Sequence, residues 1–111
     1  LRLDIISNFL YRENHEHTKL YPEFVAIAKE EGFPQIATAF RSIALVEKHH
    51  EVRFRKLHKN MEEGTVFKKK KVVKWKCRIC GYIHEGKTPP AKCPACEHPD
   101  SHFEVLEESV E

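Results

Sequence analysis

Little in this chain would tie it to a membrane, a nucleic acid or an oxidising compartment. No apolar run reaches the roughly 18 residues that a membrane-spanning helix needs. The formal net charge is +2, too mild a basic balance to argue for nucleic acid. Leu1-Arg2-Leu3-Asp4 opens directly into an amphipathic pattern with an early acid, so no secretory leader is expected. An initiator Met is also missing, as in a fragment or a processed product. The cysteines number only 4, and all fall in two C-x-x-C pairs with none spare. Two disulfides would suit a secreted protein. This spacing without a leader favours a metal in a reducing cytoplasm instead. With 111 residues, 41% of them hydrophobic, the chain suits a soluble globular protein but is small for two independent cores. Each part therefore needs support from a metal or a partner.

Two sets of metal-type side chains are present. Cys77-Arg78-Ile79-Cys80-Gly81 and Cys93-Pro94-Ala95-Cys96 can point four thiolates at one tetrahedral ion. Upstream, Glu13-x-x-Glu16 and Glu47-x-x-His50 lie in helical sequence and suit a harder, oxygen-handling centre.

The helical reading rests on periodicity. Ile6, Phe9, Glu13, Glu16, Leu20, Phe24 and Ile27 follow one another in alternating steps of three and four, which is one stripe of a helix. Pro22 interrupts this stripe and is expected to kink or re-register the helix. Gly32-Phe33-Pro34 reads as a stop and a restart, and so brief a connection makes the two helices antiparallel. Ile36, Phe40, Ile43, Glu47, His50, Phe54, Leu57 and Met61 form the second stripe, apolar except for Glu47 and His50. Charges on the inner stripe of a bundle cost several kcal/mol unless paired, so this arrangement calls for cations. An antiparallel hairpin folded about Gly32 pairs positions whose numbers add to about 63 or 64, and the two motifs satisfy this, each about 25 Å from the turn.

Domain organisation follows from these patterns. Residues 1–62 are expected to form the helical hairpin, 63–71 a linker, and 72–111 a small metal-dependent unit. Its strands are expected at residues 72–76 and 103–106, with Trp75, Tyr82, Ile83, Phe103 and Leu106 as its core. The lysine run Lys68–Lys71, with Lys74 and Lys76, is expected to be offset by acids of the C-terminal segment across paired strands rather than to bind nucleic acid. A charged docking surface for a redox partner is the other reading of these lysines.

The cysteine site resembles that of rubredoxin. Cys80-Gly81-Tyr82 and Cys93-Pro94-x-Cys96 match its knuckles, while Glu97 stands where rubredoxins usually carry Gly. On spacing alone a structural zinc ribbon competes with this reading. The whole chain resembles the C-terminal part of rubrerythrin, through residues 13–22, Glu30-Glu31-Gly32-Phe33-Pro34, Glu47-Lys48-His49-His50-Glu51 and the order of helices before cysteines.

The resemblance implies a mainly α fold: a ferritin-like antiparallel helical hairpin, half of a four-helix bundle, followed by a small rubredoxin-like domain. It also implies a non-haem iron peroxidase that reduces hydrogen peroxide to water with electrons from an Fe(Cys)4 site. Glu13, Glu16, Glu47 and His50 would be di-iron ligands and the catalytic centre, and Cys77, Cys80, Cys93 and Cys96 would hold the single iron. Zinc suits either site as well. The family's first two helices have no counterpart here. A second polypeptide, or a second copy in a homo-oligomer of at least two chains, would complete the centre, and a redox protein would donate electrons. Tyr21 resembles the family tyrosine beside the di-iron site, with ordinary packing as the other reading, and His17 is expected at the surface. The competing functions are a non-enzymatic zinc-ribbon adaptor with an oligomerising hairpin, and a ferroxidase or iron-storage relative.

Overall fold

The computed structural model describes residues 3–109. It divides into two compact units, one ending at Glu62 and the other starting at Glu63. No helix among the described residues is long and apolar enough to cross a membrane.

The first unit is a helical hairpin. Helix α1 (Leu3–His15) runs into a five-residue π-helical segment (Glu16–Leu20) and on into α2 (Tyr21–Glu30). Pro22 supplies a reason for the widening. Its ring would collide with the carbonyl four residues earlier and it has no N–H to donate. The wider turn lets the Tyr21 N–H reach the Glu16 carbonyl, five residues back, and the helix continues in a new register. Thr18 Oγ1 donates to the Asn14 carbonyl at 2.6 Å within the same stretch. The outcome of Pro22 is thus re-registration, with helix on either side.

The turn that follows is a Schellman motif. Gly32, at φ 81°, donates to the Lys29 carbonyl, and Phe33 donates to the Ala28 carbonyl at 2.8 Å. Pro34 then opens α3 (Pro34–Glu63), a helix of 30 residues. Small Ala28 and Ala37, 6% and 1% exposed, let the two arms close near the turn. Farther out, Phe9 stacks on Phe54 with ring centroids 5.3 Å apart, and Phe24 meets Phe40 at 5.2 Å. These pairs follow the register anticipated for a hairpin folded about Gly32.

Burial on α3 departs from the expected stripe. Ile36, Ile43 and Leu57 remain 36–48% exposed, whereas Ala37 and Glu51 are buried. A bundle helix carries an apolar arc wide enough for two neighbours, and a single hairpin covers only one edge of it. The stripe read from the sequence straddles that edge: Phe40 and Phe54 meet the other arm, while Ile36, Ile43 and Leu57 stand on the uncovered side. Phe24, Ile27, Phe33, Ile36 and Phe40 line a shallow apolar depression there, close to the turn.

The second unit is a three-stranded antiparallel sheet in the order β2-β1-β3, formed by β1 (Val73–Cys77), β2 (Ile83–Gly86) and β3 (Phe103–Val105). A 3-10 turn (Asp100–His102) precedes β3. The β2 strand was not anticipated, because Ile83-His84-Glu85-Gly86 has only one strand-forming apolar residue. Its core is smaller than expected: Trp75, Phe103, Cys77 and Cys93 are buried, while Tyr82 and Ile83 are 37% and 40% exposed. Trp75 Nε1 donates to the Gly86 carbonyl at 2.9 Å. Lys76 and Glu104 are opposed across β1 and β3, with Lys76 Nζ 3.9 Å from the carboxylate. Of residues 63–71, read from the sequence as a linker, Glu63 closes α3, and Lys69 donates its N–H to the Lys87 carbonyl and its Nζ to the Thr65 carbonyl.

Candidate metal centres

The C-terminal centre consists of two copies of one backbone device. In the first, Cys77 N–H donates to the Tyr82 carbonyl and Gly81 N–H to the Cys77 carbonyl. In the second, Cys93 N–H donates to the His98 carbonyl and Glu97 N–H to the Cys93 carbonyl. Gly81 takes φ 86° and Glu97 takes φ 65°, so the non-glycine residue adopts the left-handed geometry that the knuckle demands. Each loop aims amide donors at sulfur: Cys80 and Ile79 toward Cys77, Cys96 and Ala95 toward Cys93, Tyr82 toward Cys80, and His98 toward Cys96. These donors, led by the Cys80 amide, bring the Cys77 thiol down from 9.0 to about 6. The His98 amide pulls Cys96 the same way, but burial and the neighbouring cysteines outweigh it and lift that thiol to about 12.

The sulfurs of Cys77 and Cys96 are 3.6 Å apart, as are those of Cys80 and Cys93. This is far beyond a disulfide bond of about 2.05 Å. Four sulfurs held about 2.3 Å from one ion would stand about 3.8 Å from each other. Geometry and donor set therefore fit a single tetrahedral iron or zinc. His98 Nδ1 lies 3.2 Å from Cys96 Sγ as an additional neighbour.

In the helical unit, Glu13, Glu47 and His50 offer ligand atoms that all lie within 4.8 Å of one another. Glu16 stands outside that triplet and interacts with Glu47 and Glu13. His50 Nδ1 is 3.3 Å from Glu47 Oε2 and 3.7 Å from Glu13 Oε2. Burial, then hydrogen bonding to Glu47 and the charges of Glu47 and Glu16, push the Glu13 carboxyl from 4.5 to about 7, against the pull of His50. Burial followed by Glu47 raises Glu16 as well. Glu47 is lowered, chiefly by its hydrogen bond with Glu13. Glu13 Oε2 is buried and has no hydrogen-bond partner among the described residues. An orphaned carboxylate oxygen beside two further carboxylates and an imidazole suits a cation, and the oxygen and nitrogen donors match iron or zinc.

One sequence expectation changes here. His17 is not a surface group: its side chain is 13% exposed, and Nε2 sits 2.7 Å from Glu51 Oε2. Glu51 itself went unnoticed, although its place beside His50 and off the apolar stripe was a signal that a second polar row faces the other arm. The Tyr21 ring packs against Phe24 and Phe40, with centroids 5.9 and 6.0 Å away.

A family model described as rubrerythrin matches residues 10–79, and one for the rubrerythrin rubredoxin-like domain matches residues 75–104. The chain belongs to the rubrerythrin family. It is 58% identical over 93 residues to a putative rubrerythrin of Methanocaldococcus jannaschii, covering 84% of this chain and 46% of that protein. It is 52% identical over 112 residues to the rubrerythrin of Clostridium perfringens, covering 98% and 57% of the two chains. Among solved structures, a mixed-valence state of nigerythrin matches with a TM-score of 0.50 and 28% identity, over 91% of this chain and 48% of that one. This rubrerythrin-family chain thus spans about half the length of the curated relatives it matches. Its fold is the mainly helical, ferritin-like arrangement with an appended rubredoxin-like domain.

Proposed function

We propose that this chain carries one half of a peroxidase that reduces hydrogen peroxide to water, with electrons passing from the four-cysteine site to the carboxylate site. Glu13, Glu16, Glu47 and His50 would hold two irons together with ligands from helices outside this hairpin, and Cys77, Cys80, Cys93 and Cys96 would hold one. When bound, these irons would supply the two electrons that, with two protons, convert one peroxide to two waters. Zinc is the competing occupant of either site.

The chain's own residues handle protons and access. Glu13, titrating near neutrality beside the lowered Glu47, is suited to hold a proton when no metal is bound and to give it up when a cation arrives. Carboxylates at this spot can also deliver protons to a departing oxygen. The apolar residues around the site would exclude water once covered. A second copy of this chain, or a second polypeptide, would provide that cover, because Ile36, Ile43 and Leu57 are too exposed for an isolated hairpin in water. The electron donor would be a redox protein, and the setting would be the cytoplasm.

The observation that carries this reading is the unpartnered, buried Glu13 oxygen inside a carboxylate-imidazole cluster in a chain that also groups four thiolates. The test is metal content and visible spectrum of protein isolated without added metal. More than one iron per chain, and a red thiolate band that bleaches on reduction and returns with peroxide, support it. Colourless protein with one zinc per chain would favour an adaptor. Iron uptake with no reoxidation of the thiolate band by peroxide would favour a ferroxidase or storage role.

A further inference from the structure

Glu51 is the one buried charged residue among the described residues of the helical unit, 6% exposed, and it is not one of the four candidate ligands. From α3 it accepts hydrogen bonds from Asn14 Nδ2 at 2.9 Å, from His17 Nε2 at 2.7 Å and from Arg55 at 2.8 Å. Two of these donors sit on the opposite arm of the hairpin. Asn14 follows Glu13, His17 follows Glu16, and Glu51 follows His50. Successive residues point about 100° apart around a helix. The candidate ligands therefore form one row opening on the uncovered face, and their neighbours form a second row in the seam between the arms.

We infer that Glu51 is a positioning residue for the carboxylate site: through Asn14 and His17 it sets how the Glu13–Glu16 segment stands against Glu47 and His50. The inference rests on the reading that those four residues hold metal. Two bonds anchored three residues apart on the far arm resist sliding as well as rotation, which one bond cannot do. His17 also lies in the π segment, where the helix has left its regular α ladder and gains most from an outside anchor. A buried carboxylate is a poor choice for stability alone, since an apolar side chain of similar size fills a seam at least as well. Its directional bonds to both anchors give it a use that leucine could not serve.

The test uses the full chain as purified, with zinc in the cysteine site and cobalt(II) titrated into the carboxylate site. For Glu51→Ala the expected result is a loss of cobalt affinity of about tenfold or more and a shifted visible cobalt band. Glu51→Gln, which keeps the size but has one acceptor oxygen for the two anchors, should recover only part of the affinity and fall between E51A and the wild type. An E51A protein with wild-type affinity and an unshifted band overturns the inference, whatever its melting temperature. Wild-type protein that takes up no cobalt at the carboxylates overturns the underlying site reading and this inference with it. If E51A fails to fold, as judged by circular dichroism, Asn14→Ala replaces it. That variant should weaken cobalt binding by about fivefold, and unchanged affinity there overturns the inference equally.

Discussion

Glu13 Oε2 stands 3.7 Å from His50 Nδ1, buried and without a hydrogen bond among the described residues. The two residues come from opposite arms of the hairpin, so the isolation of that oxygen is a property of the folded unit and not of either helix. It makes the site's behaviour sensitive to pH.

The Glu13 carboxyl rises from 4.5 to about 7 on folding, mainly through burial and then through Glu47. The folded metal-free unit therefore binds more protons than the unfolded chain between those values. That contribution to stability is fully present below 4.5 and is lost as pH climbs through about 7. Thermal melts of metal-free protein should show a declining midpoint across this window, and Glu13→Gln should flatten the decline. An unchanged slope in that variant would assign the pH dependence to other groups.

Metal binding at the carboxylates should release about one more proton at pH 6 than at pH 8, because Glu13 must ionise to become a ligand. Calorimetric titration with cobalt(II) in buffers of different ionisation enthalpy reads this directly. Glu13→Gln should also separate stability from binding. At pH 8 the metal-free variant should gain on the order of 1 kcal/mol, solvent screening included, while its cobalt affinity falls by at least about tenfold.

Glu97 holds φ 65° where Gly81, in the matching knuckle, holds φ 86°. Left-handed backbone costs a non-glycine residue about 1–2 kcal/mol, and the exposed Lys92–Glu97 pair at 3.3 Å returns little. Glu97→Gly is expected to stabilise the zinc-loaded protein by about 0.5–1 kcal/mol, after the extra freedom of glycine in the unfolded chain. Gly81→Ala is expected to destabilise it by about 1–2 kcal/mol, although a Cβ there would meet no atom within 4 Å. Denaturant titrations in which the two variants shift the same way would contradict the backbone argument.

Half of the second unit's buried cluster is cysteine, with Trp75 and Phe103 as the remainder. Stripping the metal should therefore unfold this unit. Trp75 is the 1 tryptophan in the chain, so its emission should move to the red under chelation. The helical circular dichroism signal should persist through the same treatment. Simultaneous loss of both signals would make the two units a single cooperative block.

Ile43 is 36% exposed on the uncovered face. Ile43→Glu should leave the hairpin folded and shift the protein to a smaller species in sedimentation velocity, with loss of cobalt uptake at the carboxylates. A variant that assembles and binds as the wild type does would exclude that face as the one covered.

The hairpin and its register were legible because helical period, Gly32 and Pro34 are local signals whose physics acts within a few residues. The proximity of Glu13 to Glu47 and His50 followed from that register alone. The knuckles were legible for the same reason, whereas the left-handed backbone that Glu97 takes in place of a glycine was seen only in the fold. Strand β2 was not, since Ile83–Gly86 has little strand propensity and pairs because β1 offers it a partner. His17 and Glu51 were missed because an amphipathic stripe marks only the centre of a helix face, whereas their row lies at its edge.

What the sequence by itself determined is which residues share a helix, where the chain turns back and which thiolates form a pair, because each depends on spacing along the chain. Tertiary structure alone decided which edge of the apolar arc is closed and that Pro22 is absorbed by a π turn. It also decided that Glu13 is left with an unpartnered oxygen while Glu51 acquires three donors. Those outcomes depend on how two surfaces approach one another, and burial and hydrogen bonding between arms are set by that approach rather than by the order of residues in either arm.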